Sequence, residues 1–480
     1  MPMIQDAEGR NVVPLWIDGK PEQLDASNHI EVFSSAQGKV VHYAQAASEA
    51  NARRAADVAW ASFLKWRRTK PEYRRDLLLK VADLYEARAA EIAHWQVEET
   101  SCSEVFAHFN IKLAVSSIRE FAASLATVLV GEIPPIQDGY GLVFKEAIGP
   151  VLVIPPWNSS IILSSRGVTA ALAAGCTVVM KASELCPRTH SMIVEIWEQA
   201  GLPSGCLNQI QAARKDASAV TEALIAHPAI RKVEFIGSAS VGRAIGQMAS
   251  KHLKPILMEL GGKSPAIVLE DANLAEAAKK VAFGAFVHQG QICFSTERII
   301  VVKDVAEEFI QELKKQKFEA GFAVSKNISQ HAHALVEEAH GTFILGDNSW
   351  LGDASLTPTV ITGVEAGAKI RDEETFGPSA TLYVVEDAEE AVSLANDSAY
   401  GLSATIHTKD MLKALKMARE LDYGQVHVNT PTVYDEATLP VSGVKASGWG
   451  NQNGRYGLRE YLYDKTVTLH GDEGDGGFGR

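Results

Sequence analysis

The feature that most constrains the fold is a series of short apolar runs that alternate with helical segments from Gly149 onward. These runs are PVLVIPP, CTVVMKAS, LNQIQA, KVEFIG, PILMEL and SPAIVLE. Strands that are apolar throughout, rather than at every second residue, are typical of a parallel sheet covered by helices on both faces. The pattern therefore predicts an α/β doubly wound unit, in which ligands bind at the carboxyl ends of the strands.

A second α/β pattern follows residue 259, with RIIVV, TPTVI, ATLYVV, SATIH and QVHVN as predicted strands. Between about residues 46 and 129 the apolar spacing predicts helices instead. The segment EIPPIQDGYGLVFKEA has two short strand-like pieces around Asp138-Gly139, which predicts a hairpin. The final residues, GDEGDGGFGR, are rich in Gly and Asp and are predicted to be disordered.

Length and composition limit the classes of function. A chain of 480 residues with 46% apolar and 22% charged residues is long enough for two or three domains. A net charge of −13 argues against a nucleic-acid surface, and no apolar run is long enough for a membrane helix. The five cysteines have neither disulfide nor metal-site spacing. We expect a cytoplasmic protein without a metal that acts on small molecules and contacts neither nucleic acid nor membrane.

Two segments contain candidate nucleotide-binding residues. In KVEFIGSASVG a strand leads into Gly237-Ser238, and a helix that contains Gly242 follows. The backbone N–H groups at the start of this helix could bind a pyrophosphate. The alternative is that the glycines are there only because the turn has no room for a side chain. In VVMKASE, Lys181 and Glu184 follow a strand, where they could bind a ribose or form only a solvated ion pair. A glutamate on the ribose would repel a 2′-phosphate, which favours NAD over NADP.

Three other positions carry candidate catalytic groups. Asn158, in PWNSS, precedes a helix and either caps it or directs its amide at a developing oxyanion. Arg166 lies about two turns further along that helix and either lines the same funnel or lies at the surface. Glu259, in MELGGK, ends an apolar strand. Apolar surroundings there would raise the pKa of its carboxyl, as a general base requires. The alternative is a glutamate that caps a helix or forms an ion pair.

Cys293 is the candidate nucleophile. It lies in GQICFSTER among small and polar residues, whereas a purely structural cysteine is flanked more often by core residues. A nucleophilic thiol must be partly exposed, with hydrogen-bond donors near the oxyanion that it creates. A small buried side chain is the alternative.

Taken in order, these segments resemble the NAD(P)-dependent aldehyde dehydrogenase superfamily over nearly the whole chain. The similar motifs are PWN, KxSE, FxGSxxxG, MELGGK, GQxC, EETFGP at 373–378, NDSAYGLSATI, HVN, VSGVKASGWG and GRYGLREY. The variants GQICFSTERIIV, LKPILMELGGKSP and RDEETFGP are most similar to the branch that acts on salicylaldehyde and related aromatic aldehydes.

The resemblance implies a mechanism and a cofactor. Cys293 would attack the aldehyde carbon, the Asn158 amide and the Cys293 N–H would hold the oxyanion, and Glu259 would activate water to hydrolyse the thioester that remains after hydride transfer. The implied cofactor is NAD, with NADP as the alternative. The residues implied to bind it are Trp157, Lys181, Ser183, Glu184, Gly237, Ser238, Gly242, Glu374 and Phe376.

The resemblance also implies a domain organisation. It comprises a Rossmann-type NAD-binding domain (1–126 and 148–258), an α/β catalytic domain (259–458), a small β oligomerisation element (127–147 and 459–470) and the disordered tail (471–480). The edge strands of the oligomerisation element need a partner chain, so we expect a homodimer or homotetramer.

The substrate is predicted from the funnel that the resemblance implies. Phe106, Arg166, Phe294, Tyr434 and Trp449 lie in the segments that line it in the family. Four aromatic rings suit an aromatic aldehyde similar to salicylaldehyde, and Arg166 could attract an acidic or phenolic substituent. If these aromatic side chains only pack in the hydrophobic core, the alternative substrate is an aliphatic aldehyde or a semialdehyde.

The chain departs from the family pattern in two places. PWNSS lacks the proline that commonly follows PWN-x, and the stretch around GFAVS (320–326) is shorter than the usual loop. Because of the trimmed loop, the alternative hypothesis is that the chain is a structural relative of the family with impaired catalysis. A cysteine hydrolase that uses a histidine such as His288 as its base is a third hypothesis.

Overall fold

The computed structural model describes residues 3–25 and 27–471. The predicted disordered tail lies outside the described residues from position 472 onward. The helices are α1 (Glu49–Trp66), α2 (Pro71–Ala87), α3 (Ala89–Thr100), α4 (Glu104–Val128), α5 (Ser160–Ala174), α6 (Pro187–Ala200), α7 (Ala217–Ala226), α8 (Ala239–Lys251), α9 (Leu274–Phe286), α10 (Lys303–Lys314), α11 (Lys326–Glu338), α12 (Ala388–Asn396), α13 (Met411–Glu420) and α14 (Gly454–Arg459).

The strands are β1 (Ile4–Gln5), β2 (Asn11–Val13), β3 (Trp16–Ile17), β4 (Lys20–Pro21), β5 (His29–Ser34), β6 (Lys39–Gln45), β7 (Tyr140–Ala147), β8 (Val151–Ile154), β9 (Val178–Ala182), β10 (Leu207–Gln211), β11 (Lys232–Ile236), β12 (Ile256–Glu259), β13 (Ser264–Val268), β14 (Thr296–Val302), β15 (Thr342–Leu345), β16 (Trp350–Gly352), β17 (Ser355–Leu356), β18 (Thr359–Thr362), β19 (Ser379–Val385), β20 (Tyr400–Gly401), β21 (Ser403–His407), β22 (Gln425–Val428), β23 (Val444–Lys445), β24 (Gly448–Trp449) and β25 (Leu462–Leu469). Two 3₁₀ turns span Val287–Gly290 and Lys369–Arg371.

The first sheet has the strand order β24-β12-β11-β8-β9-β10-β3-β4. Its central strands β12, β11, β8, β9 and β10 are parallel and coincide with apolar runs of the sequence. Helices α5 and α6 pack in the apolar cluster on one face, and α1, α7 and α8 pack in the cluster on the other. The doubly wound α/β prediction is confirmed, because helices cover both faces of these parallel strands and almost all of the strand residues are buried.

The second sheet has the order β15-β18-β19-β14-β13-β21-β22, with only β15 antiparallel to its neighbour. The chain passes from the first sheet to the second between Glu259, the last residue of β12, and Ser264, the first of β13. Glu259 therefore lies where the two sheets meet. Strand β24 returns to the first sheet, although its residues fall in the range predicted for the catalytic domain.

The predicted hairpin at 127–147 is largely absent. Strand β7 pairs along its full length with β25 near the end of the described chain, from Tyr140 opposite Leu469 to Ala147 opposite Leu462. The first half of the predicted hairpin contributes one isolated bridge, between Glu132 and Val143. The residues Pro134 and Pro135 that follow lack the backbone N–H that a strand needs, which explains the difference.

Helix α5 carries side chains into the centre of the molecule. All of its residues from Ser160 to Ala174 are buried, including the charged Arg166. The helix begins directly after β8 and the loop that contains Asn158, so the carboxyl end of the sheet and the start of the helix face the same region. Among the described helices, none combines the length and the apolar character required to cross a membrane.

Candidate active site

A cavity of about 570 Å³ lies at the carboxyl ends of the neighbouring strands β8, β11 and β12. This is the position that the doubly wound pattern predicts for a ligand. The predicted residues that line this cavity are Trp157, Asn158, Gly237, Ser238, Glu259, Cys293, Glu374 and Phe376. The structure thus brings together all three residues predicted to be catalytic and five of those predicted to bind the cofactor.

The other predicted cofactor residues lie nearby but do not line this cavity. Lys181 is near the end of β9, where burial lowers its pKa and the charge of Glu184 partly opposes that shift. The backbone N–H of Ser183 donates to His190 Nδ1 at 3.2 Å, which anchors the turn after β9. Gly242 lies inside α8, where a Cβ would come within 2.6 Å of the Leu260 side chain, so this glycine permits close packing.

Cys293 follows a turn of unusual backbone conformation. His288, Gln289 and Gly290 have φ values of 51°, 57° and 68°, and a left-handed conformation is unfavourable for the first two. A Cβ on Gly290 would lie 2.0 Å from the carbonyl oxygen of Gly377, so this glycine permits the turn to pack against the EETFGP loop. The Cys293 side chain is half-buried at the end of this turn.

Glu259 lies beside Cys293 at the end of β12. Both of its carboxylate oxygens are buried, and neither accepts a conventional hydrogen bond from a described residue. Burial raises the pKa of Glu259 to about 7, against a smaller lowering by the Cys293 thiol. Burial likewise raises the pKa of Cys293, and the adjacent Glu259 raises it further. A carboxyl that titrates near neutrality beside a thiol is suited to accept a proton from that thiol or from a water molecule.

Asn158 does not cap α5. Ser159 is the N-cap residue, and the Asn158 side-chain amide instead donates to the backbone carbonyl of Gln291 at 2.9 Å. Because the acceptor is a carbonyl, the NH₂ group of the amide must point toward the cysteine segment. The amide has a second N–H, which leaves a donor for an oxyanion formed next to Cys293.

The two glycines of MELGGK allow two functional segments to approach the end of β12. A Cβ on Gly261 would lie 2.4 Å from the Glu374 carboxylate, and a Cβ on Gly262 would lie 2.4 Å from the carbonyl oxygen of Cys293. The Gly262 N–H also donates to Glu374 at 2.9 Å. Burial raises the pKa of Glu374 to about 8, and the charge of Glu297 adds to this shift.

A second, narrow cavity reaches Cys293 from another side. Four of the five residues predicted for the substrate funnel line it: Phe106, Arg166, Phe294 and Tyr434. The free space is about 40 Å³, so a bulky substrate must displace side chains to enter. Cys293 lines both this cavity and the larger one, and therefore lies at their junction.

Trp449 is the predicted funnel residue that the structure places elsewhere. It lies in β24 at the edge of the first sheet, 52% exposed, and its indole N–H donates to the Ile256 carbonyl at 3.0 Å. The pairing of β24 with β12 directs this ring to the outer edge of the sheet. The prediction that Trp449 lines the substrate funnel is therefore wrong for this structure.

The chain matches the aldehyde dehydrogenase family across residues 23–467. It belongs to the aldehyde dehydrogenase family. A vanillin dehydrogenase of Pseudomonas fluorescens is 38% identical over 474 residues, covering 95% of this chain and 98% of that protein. A salicylaldehyde dehydrogenase of Pseudomonas putida is 36% identical over 470 residues, covering 95% and 96%. The resemblance found in the sequence is confirmed, and the chain is an aldehyde dehydrogenase family enzyme with aromatic aldehyde dehydrogenases among its relatives.

Solved structures of the family share the fold of this dehydrogenase. A salicylaldehyde dehydrogenase from Pseudomonas putida G7, complexed with salicylaldehyde, has a TM-score of 0.94 at 33% identity, covering 97% of this chain and 100% of that one. An NAD-dependent aldehyde dehydrogenase from Sinorhizobium meliloti has a TM-score of 0.93 at 30% identity, covering 100% and 99%. An E. coli NADP dependent enzyme has a TM-score of 0.91 at 27% identity, covering 95% and 98%. Both cofactors thus occur among the structural neighbours.

Arg166 of the dehydrogenase is already paired. Its Nη2 donates to the Asp435 carboxylate, and its Nη1 donates to Gln452 at 2.9 Å. Gln452 in turn donates to the buried Glu234 at 2.7 Å. The predicted role of Arg166 as a free cation for an acidic substituent is therefore weakened, since Asp435 balances its charge at the cavity wall.

The trimmed loop contacts the cysteine segment directly. The side chain of Gln291 accepts from the Val324 N–H at 3.0 Å and donates to the Phe322 carbonyl at 3.3 Å. The loop is therefore ordered against the turn that carries Cys293. This contact could not be predicted from local sequence patterns, because β14 and α10 separate Gln291 from Val324.

His288 lacks the properties that the hydrolase hypothesis requires. Its ring stacks on Phe106 at a centroid distance of 4.3 Å with planes 15° apart. Burial lowers the pKa of His288 to about 3, so its ring is a weak base at neutral pH. Among residues 3–25 and 27–471, no group of three His, Cys, Asp or Glu side chains is arranged to hold a metal ion.

Proposed function

We propose that this enzyme oxidises an aromatic aldehyde to the carboxylic acid, with NAD as hydride acceptor, through a covalent intermediate on Cys293. The observation that supports the proposal most directly is the place of Cys293 at the junction of the two cavities, beside Glu259 and near the amide of Asn158. A nucleophile at such a junction can receive a substrate from one cavity while a cofactor occupies the other.

In the first step the Cys293 sulfur adds to the aldehyde carbon, and the thiol proton passes to Glu259. The carbonyl oxygen becomes an oxyanion, and its donor is the second N–H of the Asn158 amide, a proposal supported by the cavity that Asn158 and Cys293 both line. A soft thiol is suited to this reaction because it forms the adduct and later acts as a leaving group. The product of the addition is a thiohemiacetal.

The residues around the larger cavity fit a dinucleotide. Ser238 caps α8 and accepts from the Val241 N–H at 3.4 Å, so the helix N-terminus faces the cavity as an anion-binding site. Trp157 packs edge-on against Phe376 at 5.7 Å, which gives an aromatic wall beside Glu374. When bound, the nicotinamide supplies the acceptor for the hydride that leaves the substrate carbon.

In the last step Glu259, which has released the thiol proton to solvent, removes a proton from a water molecule, and this water attacks the carbonyl carbon of the Cys293 thioester. The carbon–sulfur bond breaks, the acid is released and the thiol is restored. The pKa of Glu259 near 7 supports its action as a base at neutral pH. The overall reaction consumes one aldehyde, one water and one oxidised cofactor and yields one carboxylic acid, one reduced cofactor and one proton.

NAD is preferred to NADP in this proposal because of Glu184. The carboxylate lies in the turn after β9, next to Lys181, where it would meet the adenosine ribose. A 2′-phosphate would be repelled at this position. An aromatic substrate is supported by the rings of Phe106, Phe294 and Tyr434 in the narrow cavity, and by the vanillin and salicylaldehyde dehydrogenases among the relatives.

We further propose a homodimer or homotetramer in the cytoplasm. Strands β7 and β25 pair only with each other in the described chain, apart from one isolated bridge, and present the exposed apolar residues Tyr140, Phe144 and Leu469. Unpaired strand edges with apolar side chains are suited to contact another copy. The five free cysteines agree with a reducing compartment.

The test is formation of reduced nicotinamide, followed by absorbance, with wild type and Cys293→Ala. The substrates are salicylaldehyde, vanillin, benzaldehyde, an aliphatic aldehyde and a semialdehyde, each with NAD and with NADP. We expect turnover by the wild type to be fastest with aromatic aldehydes and NAD, and to be lost in Cys293→Ala. Equal or faster turnover of aliphatic aldehydes would contradict the substrate class, and activity retained in Cys293→Ala would contradict the mechanism.

A further inference from the structure

The carboxylate of Glu297 is buried four residues after Cys293 and holds the loop that carries Glu374 and Phe376. It accepts from the backbone N–H of Thr375 at 2.8 Å and from that of Phe376 at 3.0 Å. Its side chain is only 3% exposed. Glu297 thus accepts from consecutive N–H groups of the loop that carries Glu374 and Phe376, and it does so from β14, which begins three residues after Cys293.

Lys263 holds the same loop from the segment that connects the two sheets. It follows Gly261-Gly262 in the crossing between β12 and β13, and its ammonium group forms an ion pair with Glu297. The same group donates to the Glu373 carbonyl at 2.7 Å and to Thr375 Oγ1 at 3.1 Å. Both charged groups of the pair, the Lys263 ammonium and the Glu297 carboxylate, therefore form hydrogen bonds with the loop.

The loop requires such support because its backbone is strained. Phe376 has a φ of 50°, a conformation that a bulky residue rarely adopts. Such a conformation persists only where the surrounding contacts determine it, and the two hydrogen bonds from Thr375 and Phe376 to Glu297 do so.

Fold stability alone is a weak reason for this pair. Burial removes both charges from water, and apolar residues of similar volume are often as stable as a buried ion pair. What apolar residues cannot provide is a fixed acceptor for two consecutive N–H groups together with a donor to the adjacent carbonyl. The geometry therefore indicates a role in placing the loop.

We propose that Glu297 and Lys263 are positioning residues that hold Glu374 and Phe376 in the orientation required to bind the nicotinamide ribose beside Cys293. This inference rests on the proposed function. Neither residue lines the larger cavity, so both act through the loop.

The experiment compares wild type with Glu297→Gln, Glu297→Ala and the double variant Lys263→Met/Glu297→Gln. The double variant has no unpaired charge, so it decides the outcome if a single variant does not fold. The matched control is Lys232→Met/Glu460→Gln, which removes another largely buried Lys–Glu pair, 2.7 Å apart, that lies away from the loop.

Two properties are measured for each variant. The first is the affinity for NAD, by calorimetry. The second is the hydrolysis of p-nitrophenyl acetate without cofactor, in which Cys293 displaces nitrophenolate and water cleaves the acyl-enzyme.

We expect the Kd for NAD to rise about tenfold in Glu297→Gln and in the double variant, and further in Glu297→Ala. Ester hydrolysis should stay within about twofold of wild type, because it requires Cys293 but not the cofactor loop. Unchanged NAD affinity in both Glu297→Gln and the double variant would overturn the proposal, as would an equal loss of ester hydrolysis.

Failure of the proposed function would be visible separately. A wild type that binds NAD but oxidises no aldehyde would contradict the proposed reaction, while the comparison of NAD affinities would still decide the role of Glu297. A wild type that binds neither NAD nor NADP would contradict both proposals.

Discussion

The side chain of Asn158 is hydrogen-bonded to the backbone of Gln291, two residues before Cys293. The distance from Asn158 Nδ2 to the Gln291 carbonyl oxygen is 2.9 Å, and both residues are buried. This bond joins the loop after β8 to the cysteine turn and fixes which way the amide points. The proposed oxyanion donor and the segment of the proposed nucleophile are therefore joined directly, which is the preorganisation that electrostatic stabilisation requires.

Removing this donor should affect the chemical step more than binding. We expect Asn158→Ala to lower kcat by about 100-fold to 1,000-fold, as loss of an oxyanion donor does elsewhere. The KM for the aldehyde should change much less, because Asn158 does not line the narrow cavity proposed to hold the substrate ring. Steady-state kinetics on an aromatic aldehyde provide the measurement. The control is Asn51→Ala, a half-buried residue in the first turn of α1 whose side chain accepts from the Ser48 N–H. A loss smaller than about tenfold would argue against the role of Asn158.

The contact between Gln291 and the trimmed loop leads to a second prediction. Gln291→Ala leaves the Val324 N–H and the Phe322 carbonyl without their partner, which should lower the free energy of unfolding by about 1–3 kcal/mol. Proteolysis near residues 316–325 should become faster, since this segment has no regular secondary structure to hold it. Urea unfolding and limited proteolysis test the prediction. A loop that is cleaved no faster than in wild type would show that Gln291 does not anchor it.

The sequence predicted the central parallel strands and the cleft because both follow from local patterns. Apolar runs mark buried strands, and the residues after β8, β11 and β12 meet at one edge of the sheet. The pairing of Arg166 with Asp435 could not be predicted in this way, because the two residues are 269 positions apart. The position of Trp449 could not be predicted for the same reason, since the antiparallel pairing of β24 with β12 is a contact between distant parts of the sequence.

The titration of Glu259 should control the hydrolysis of the acyl-enzyme. The base must be deprotonated, so kcat should rise with pH through about 7, the pKa to which burial raises this group, and then level off. In Glu259→Gln we expect about one equivalent of reduced nicotinamide per active site, formed more slowly than in the wild type because the thiol has lost its proton acceptor. Little turnover should follow, because the thioester accumulates. Rapid-mixing absorbance and intact-protein mass spectrometry measure both. Sustained turnover without a burst would show that another group activates the water.

The same substitution should change stability in a pH-dependent way. The pKa of Glu259 is about 7 in the folded state against an ordinary value of 4.5, so the folded protein binds the proton more tightly and wild-type stability falls as pH rises from 4.5 to 7. Relative to wild type, Glu259→Gln should therefore become more stable by about 3 kcal/mol between pH 4.5 and pH 8. Urea unfolding at the two pH values tests this change, with the exposed Glu308→Gln as control. A difference that does not vary with pH would contradict the raised pKa.

The ion pair of Arg166 with Asp435 should shift the pH profile in opposite directions when either partner is neutralised. The positive charge of Arg166 lowers the pKa of Glu259, and the negative charge of Asp435 raises it. Arg166→Met should therefore move the midpoint of the kcat–pH profile above that of wild type, and Asp435→Asn should move it below. If both midpoints moved in the same direction, a structural disturbance would explain them better than charge. Each variant should also be assayed on salicylaldehyde and benzaldehyde, because equal changes on both substrates would exclude Arg166 from recognising the ring hydroxyl.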